Sequence, residues 1–364
     1  MFTLGGRPLP CLARARVYVC GITPYDTTHL GHASTFVWVD TVARVLEHLG
    51  LEVQVCRNIT DVDDDILAQA SARDVGWQAL ATQQTYQFED DMRKLRVRKP
   101  SYEPLSREYI TEVIFLTRAL LDRDAAYERQ GNVYFRSSGV TERAGLDRAE
   151  ALRLDADRGG DPDDPLKDDP LDAILWRHSD SGEPAWQSPW GDGRPGWHAE
   201  CAAMATAILG LSVDIHAGGE DLAFPHHAFE AAMVETATGV APFARSWMHI
   251  GTVTRAGEKI AKSTGNLVFV RDLLEQWQPE ALRLLLVDRD WRTPWDFADA
   301  DLESAAARLD ELFAWAARPG GDAAADNAVV TALAHDLDVP TALAVAEEAG
   351  GSAARLAGKL LGIM

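Results

Sequence analysis

Basic residues are scarce in this 364-residue chain, and lysine is scarcer than arginine. The sequence has 35 lysines and arginines against 56 aspartates and glutamates, which gives a formal charge of −21. A field this negative repels phosphate backbones and argues against broad, non-specific binding of nucleic acids. The six lysines are Lys94, Lys99, Lys167, Lys259, Lys262 and Lys359. Two of them, Lys259 and Lys262, stand only three residues apart, which makes the segment 259–262 a candidate functional site.

Cysteine and long apolar runs are also lacking. The four cysteines, Cys11, Cys20, Cys56 and Cys201, are too few and too scattered for a disulfide scaffold. No stretch of about 18 apolar residues predicts a membrane span, and the first residues lack the apolar run of a signal peptide. We therefore expect a cytoplasmic protein, in which cysteines serve metal binding or catalysis more often than disulfide bridges.

The pattern along the chain predicts an α/β fold. Hydrophobic residues make up 46% of the sequence, an ordinary globular share, and the length favours two or more domains. A strand at 16–21, a helix at 33–49 and a strand at 51–58 predict a parallel sheet with a site at its strand ends. The pattern then predicts mostly helices at 65–125, a surface loop at 154–173 and a return to α/β structure at 172–250. Helices are predicted again from residue 299, with a linker at Pro319 to Asp326.

Two histidines flank a glycine in His29-Leu30-Gly31-His32, between the first predicted strand and the helix. A helix N-terminus presents unpaired N–H groups and the positive end of a dipole, which suits phosphate. Imidazoles can donate hydrogen bonds to charge that develops on phosphate. The alternative interpretation is a helix cap with incidental histidines.

A second motif is the sequence KIAKS at 259–263, which lies between glycines at 257 and 265. Two lysines on a glycine-bounded loop make a cationic arm. Such an arm can close over a triphosphate and stabilise charge at the reacting phosphorus. The alternative interpretation is a solvated surface loop.

Together, HLGH and KIAKS resemble the HIGH and KMSKS signatures of class I aminoacyl-tRNA synthetases. Their order and their separation along the chain also fit. The resemblance implies a Rossmann-type (HUP-like) parallel sheet that activates an amino acid as its adenylate, with ATP and Mg²⁺ as substrate. The catalytic residues it implies are His29, His32, Lys259 and Lys262. The ATP-binding residues it implies are Thr28, His29, Gly31, His32, Gly219, Asp221, Lys259, Lys262 and Ser263.

Two cysteines, a histidine and a glutamate make a candidate metal set. Cys20 ends the first strand, and Cys201 ends the motif GWHAEC. His226 and Glu230 stand four residues apart, so on a helix they share a face. Two thiolates, an imidazole and a carboxylate are plausible zinc ligands. The alternative is that the cysteines are small buried hydrophobic residues.

Further segments are similar to cysteinyl-tRNA synthetases over about residues 16–300, namely RNITDVDD at 57–64, GRPGWH at 193–198 and the run from DIH to FPHH at 214–227. The resemblance implies one zinc ion that binds the substrate thiolate and so discriminates cysteine from serine. The implied zinc ligands are Cys20, Cys201, His226 and Glu230. The implied cysteine pocket contains Gly21, Thr60, Trp197 and Asp221, with Asp221 as the partner of the ammonium. Core packing is the alternative for Trp197.

The stretch CGITPYDTTH at 20–29 resembles a tRNA-independent branch of these enzymes more closely. That branch comprises the mycothiol-pathway ligases, which join cysteine to the amine of glucosaminyl-inositol. The residues after position 300 are acidic and alanine-rich, whereas an anticodon-reading domain needs basic and aromatic surface. We therefore expect an ATP-dependent ligase that forms cysteinyl-adenylate and then an amide, releasing AMP. The alternatives are a truncated cysteinyl-tRNA synthetase and a paralogue that uses another amine.

The expected architecture has four parts. The catalytic domain is split into 1–100 and 169–270, the second half carrying the zinc site and the KMSKS-like loop. An inserted connective subdomain occupies 101–168, and a helical bundle occupies 271–364. We expect a monomer whose partners are cysteine, ATP and a small amine acceptor, with neither tRNA nor a membrane among them.

Overall fold

The computed structural model describes residues 1–25, 28–260 and 265–364. The fold begins with a small hairpin and then the strand–helix–strand unit that the sequence predicts. The glycine after the helix, Gly50, has a φ of +88°, so it ends the helix in the left-handed conformation that glycine favours. The elements of this unit are β1 Thr3–Leu4, β2 Arg7–Pro8, β3 Arg14–Ile22, α1 Leu30–His48 and β4 Glu52–Ile59.

A long segment follows β4 and holds a second sheet, which is antiparallel. Its four strands, at 126–129, 132–135, 173–178 and 193–195, pair in chain order. The last two strands lie beyond residue 168, so the division between connective subdomain and catalytic half at that position stays a prediction. The elements are α2 Asp64–Ala72, α3 Trp77–Lys94, α4 Ile110–Leu121, β5 Ala126–Arg129, β6 Asn132–Phe135, α5 Val140–Ala144, α6 Arg148–Ala156, β7 Ala173–His178 and β8 Gly193–Pro195.

The next elements complete the central sheet: α7 Trp197–Leu209, β9 Val213–Gly219, α8 Ala228–Thr238 and β10 Ala244–Ile250. All strand pairs are parallel, in the order β10-β9-β3-β4. From the central pair β3 and β9, the chain proceeds to opposite edges of the sheet. Ligands of open parallel sheets bind at the carboxyl ends of the strands where the order reverses in this way. Cys20 and Gly219 lie at that point.

The C-terminal part is mainly helical, as expected, but the predicted linker was too long. Asp322 caps a helix that begins at Ala323, because its side chain accepts a hydrogen bond from the Ala324 amide at 2.9 Å. The prediction of a linker over Ala323 to Asp326 was therefore wrong. The elements are β11 Val253–Arg255, β12 Glu258–Lys259, α9 Val270–Leu274, α10 Pro279–Val287, β13 Trp295–Asp296, α11 Asp299–Ala317, α12 Ala323–Ala334, α13 Val339–Ala349 and α14 Gly351–Leu360.

Two hydrophobic cores flank the central sheet. One joins α1 to α10 and the C-terminal helices, and the other joins β3 to α4, α7, α8 and the antiparallel sheet. A buried ion pair ties the first core together, since fully buried Arg283 contacts Asp40 of α1 and donates to the Leu95 carbonyl at 2.9 Å. Within the described ranges, no helix combines the length and the apolarity needed to cross a membrane.

Candidate active site and metal centre

The four predicted metal ligands converge in space. One donor atom from each of Cys20, Cys201, His226 and Glu230 lies within 4.8 Å of the others, and all four side chains are buried. They come from β3, α7, the turn at 223–227 and α8. Separation in sequence is thus bridged by the parallel sheet and by the two helices that pack on it.

A close approach of backbones places the cysteine of α7. The helix starts after Gly196, and a Cβ on that residue would lie 2.0 Å from the Ile174 carbonyl oxygen of β7. Only glycine lets the start of the helix pack this tightly against the strand. Cys201 follows on the first turns of the helix and so points into the cluster.

The cluster contains side chains of opposite charge. Burial alone would lower the pKa of His226, but Glu230 and Cys201 outweigh it and raise that pKa to about 10. Burial would raise the pKa of Cys201, but hydrogen bonding with Cys20 and the charge on His226 lower it to about 6. The pKa of Glu230 is lowered despite its burial, because His226 and His216 stand beside it. The metal-free chain therefore holds a compact set of opposite charges.

The donor set fits a thiophilic metal. Two thiols, one imidazole and one carboxylate match the ligands that zinc accepts. His226 Nε2 lies 2.9 Å from Glu230 Oε1, so the imidazole and the carboxylate already face one another within the cluster. These residues could therefore hold a metal.

Two further histidines lie at the cluster, and the sequence analysis assigned neither of them. Cys20, His216, His227 and Glu230 form a second group of donors within 4.8 Å of one another. His216 Nε2 lies 3.0 Å from Glu230 Oε2. Because the two groups share Cys20 and Glu230, they describe one centre. The motifs DIH and PHH contained both histidines, but their spacing alone gave them no role.

Another missed residue is His198, whose Nδ1 lies 2.7 Å from Nδ1 of His226. Burial and the neighbouring His226 lower the pKa of His198 well below its usual range, so its ring is neutral. The charged ring of His226 therefore donates this hydrogen bond. The contact fixes the orientation of the predicted ligand.

The predicted cysteine pocket adjoins the cluster. Asn58 organises it, because its Nδ2 donates to Thr60 Oγ1 at 3.1 Å and to Cys201 Sγ at 3.4 Å. Its Oδ1 accepts from the Gly21 amide at 2.9 Å, and a Cβ on Gly21 would lie 1.6 Å from the Asn58 carbonyl oxygen. Trp197 stacks on the His226 ring with 4.0 Å between centroids. Asn58 stands in the quoted RNITDVDD motif but had no predicted role.

The HLGH motif forms the start of α1, as expected. His29 is the N-cap, and its Nδ1 accepts a hydrogen bond from the His32 amide at 3.4 Å. The two rings stack at 3.7 Å, and burial lowers the pKa of both, that of His32 to about 4. Both are therefore neutral at pH 7, and a Cβ on Gly31 would crowd the His29 ring at 3.1 Å. Thr28 is buried, and its carbonyl accepts from the Val270 amide.

Asp221 joins this region to the second motif. Lys259 Nζ lies 2.6 Å from Asp221 Oδ2, and Arg158 contacts the same oxygen. Burial would raise the pKa of Asp221, but the two cations outweigh it and lower that pKa to about 2. A Cβ on Gly219 would lie 2.5 Å from Asp221 Oδ1, so a larger residue at 219 would displace this carboxylate. The predicted residues Lys262 and Ser263 lie outside the described residues.

One cavity of about 1700 Å³ connects these groups. A pocket for a single drug-sized ligand typically measures roughly 300–1,000 Å³, so this space can hold more than one substrate. The predicted residues Thr28, His226 and Glu230 are buried and are not among the residues that line it. The predicted residues that line it are Cys20, Gly21, His29, Gly31, His32, Thr60, Trp197, Cys201, Gly219, Asp221 and Lys259.

The sequence matches a known family over residues 11–307, described as tRNA synthetases class I (C) catalytic domain. The chain belongs to this family, which confirms the resemblance drawn from its motifs. Among solved structures, Mycobacterium tuberculosis methionyl-tRNA synthetase in complex with methionyl-adenylate aligns with a TM-score of 0.66 at 16% identity. The alignment covers 97% of this chain and 82% of that one, so the fold is shared.

Two curated relatives show which members of the family this chain resembles. The chain is 44% identical over 354 residues to the L-cysteine:1D-myo-inositol 2-amino-2-deoxy-alpha-D-glucopyranoside ligase of Catenulispora acidiphila, covering 93% of this chain and 83% of that protein. It is 45% identical over 341 residues to the ligase of the same name from Acidothermus cellulolyticus, covering 92% and 84%. The predicted resemblance to the mycothiol-pathway cysteine ligases is confirmed.

Proposed function

We propose that the protein activates L-cysteine with ATP as cysteinyl-adenylate and transfers the cysteinyl group to the amine of glucosaminyl-inositol. The observation that carries this proposal is the single cavity that joins a thiol-rich metal cluster to the HLGH motif and Lys259. A thiol-containing amino acid and a nucleotide can thus meet in one space. The curated relatives support the choice of cysteine and of the acceptor.

In this proposal, Cys20, Cys201, His226 and Glu230 hold a zinc ion. When bound, zinc supplies a thiophilic position for the sulfur of the substrate, which a serine hydroxyl fills poorly. Thr60 and Trp197 line the pocket around the side chain of the substrate. Asp221 binds its ammonium, which leaves the carboxylate free to face the nucleotide.

The first step forms a bond between a carboxylate oxygen of cysteine and the α-phosphorus of ATP. The bond from that phosphorus to the bridging oxygen breaks, and pyrophosphate leaves with the electron pair. His29, His32 and Lys259 surround the site of charge transfer, together with Lys262 as the resemblance implies. Because both rings are neutral, they stabilise phosphate oxygens as hydrogen-bond donors rather than as cations.

The second step joins cysteine to the acceptor. The neutral amine attacks the carbonyl carbon of the adenylate, AMP leaves with the bonding electrons, and the amine loses a proton as the amide forms. The cavity is also lined by residues of the expected connective subdomain, such as Tyr134 and Arg143, and we place the acceptor beside them. Holding the reactants in one cavity makes the transfer effectively unimolecular once both are bound.

The test is an acceptor experiment. Zinc-loaded protein is incubated with ATP, Mg²⁺ and cysteine, and glucosaminyl-inositol, tRNA or neither is then added. Mass spectrometry should show a cysteine amide of glucosaminyl-inositol, with AMP formed in equal amount. Charging of tRNA in place of the amide would refute the acceptor. Absence of cysteine-dependent exchange of pyrophosphate into ATP would refute the activation step.

A further inference from the structure

Arg158 reaches the cavity from a tightly fixed turn at the end of α6. The Arg158 and Gly160 amides both donate to the Asp155 carbonyl, at 3.0 and 2.9 Å. Gly159 has a φ of +84°, and a Cβ on Gly160 would lie 2.0 Å from Asp155 Oδ2. The two hydrogen bonds fix the backbone at Arg158, the glycines permit the tight turn, and the side chain of Arg158 extends into the cavity.

The guanidinium of Arg158 meets Lys259 on one carboxylate oxygen. Both cations contact Asp221 Oδ2, and the side chains of Arg158 and Asp221 are only 26% and 29% exposed. The ammonium and the guanidinium are thus held as neighbours by an anion between them. The same cavity wall carries the ring of His29.

This arrangement conflicts with the proposed role of Asp221 as the partner of the cysteine ammonium. A third cation at the same carboxylate would compete with Arg158 and Lys259. A polyphosphate offers both cations a stronger partner, because it carries several negative charges and its oxygens match the planar fork of arginine. Bound nucleotide would therefore draw both cations away from Asp221.

We propose that Arg158 is a nucleotide-binding residue, which releases Asp221 and binds the polyphosphate of ATP instead. This change of partner frees Asp221 to bind the cysteine ammonium. The inference rests on the proposed function, and within it on the role of Asp221. It makes the binding of ATP and of cysteine mutually favourable. By thermodynamic linkage, each ligand strengthens the other by the same factor.

Calorimetric titration of the zinc-loaded protein tests the inference. Cysteine is titrated with and without Mg²⁺ and α,β-methylene-ATP, which cannot lose pyrophosphate. The analogue should tighten cysteine binding about tenfold, within the range of roughly 5–150-fold found for coupled sites. The matched control is Arg153→Gln, because Arg153 lies on α6, the helix before the turn, with a 62% exposed side chain, and pairs with Asp157. This control should leave the coupling unchanged.

Arg158→Gln should change the two affinities in opposite directions. Cysteine should bind more tightly without nucleotide, because Asp221 loses a competitor, whereas the ATP analogue should bind more weakly. The factor by which the ATP analogue tightens cysteine binding should fall toward the contribution of Lys259 alone. Arg158→Lys keeps the charge but loses the fork, so its coupling should be intermediate, and it serves as the test if Arg158→Gln does not fold.

Two results would overturn the inference. One is that Arg158→Gln weakens both ligands together, as general damage to the cavity would. The other is that coupling in either variant equals that of the parent. Pyrophosphate exchange by the parent protein separates this failure from failure of the proposed function. If the parent protein shows cysteine-dependent pyrophosphate exchange but Arg158→Gln keeps the parent's coupling, only the role of Arg158 is rejected. If the parent shows no exchange, the proposed function itself is rejected.

Discussion

Replacing His198 by phenylalanine should weaken zinc binding without unfolding the chain. The change removes the contact of 2.7 Å between the Nδ1 atoms of His198 and His226. The new ring keeps the packing of the old one, because His198 stacks on Phe229 at 5.3 Å with planes only 3° apart. The variant therefore separates the orientation of a ligand from the filling of the core.

The size of the effect follows from what His198 touches. Partners that orient a metal-bound histidine are typically worth about 10–100-fold in metal affinity, or roughly 1.4–2.8 kcal/mol. The metal-free variant also leaves one buried nitrogen of His226 without a partner, which costs about 1–3 kcal/mol of folding free energy. The loss of metal affinity should thus be measurable in a protein that still folds.

The assay is competition for zinc with a chromophoric chelator, and urea unfolding of the metal-free protein measures stability. The matched control is His48→Phe, since His48 is exposed in the last turn of α1. Zinc affinity of His198→Phe within about twofold of the parent would refute the reasoning, because hydrogen-bond partners of a metal-bound histidine normally contribute about tenfold or more. An equal loss in His48→Phe would show that the effect is not local.

Three further outcomes are expected. Cys201→Ser should lose zinc by metal analysis and admit serine into pyrophosphate exchange, and a full zinc content would contradict Cys201 as a ligand. Asp40→Asn leaves buried Arg283 without its counter-charge. The free energy of unfolding, measured in urea, should fall by about 3–5 kcal/mol, and a fall under about 1 kcal/mol would contradict a buried ion pair. His32 has its pKa lowered to about 4 by burial, so the unfolded chain takes up a proton first as pH falls from about 6.5. The free energy of unfolding should therefore fall over that window, and less steeply in His32→Gln; equal slopes would contradict the burial of a neutral ring.

Local pattern sufficed to predict the first unit of the fold. The pattern of apolar residues placed β3, α1 and β4 within three residues of their ends, because most residues of these elements are buried or half-buried. The predicted linker failed at Ala323 for a different reason. Asp322 was included in a polar break, yet a single aspartate can start a helix when its side chain accepts a hydrogen bond from the first turn.

The site was predictable only in part. Spacing related His226 to Glu230, and residue type made Cys20 and Cys201 candidates. Only the family resemblance implied all four as ligands of one ion, since nothing local connects β3 to α7. Asn58 and His198 stood in recognised motifs without roles, because their function depends on distances of 2.7–3.4 Å across the fold. The contact of Arg158 with Asp221 joins a loop to a turn and has no periodic signal at all.

The charges of the cavity suggest how so acidic a chain can bind a polyanion. A net charge of −21 repels ATP at long range, and Arg158 and Lys259 are already paired with Asp221. In the proposed reaction, Arg158 and Lys259 pass from one anion to another, and the ammonium of cysteine replaces them at Asp221. No charge is then left buried without a partner in either state. The cost of breaking the first ion pairs is offset only when both substrates are present, which disfavours occupation of the cavity by one substrate alone.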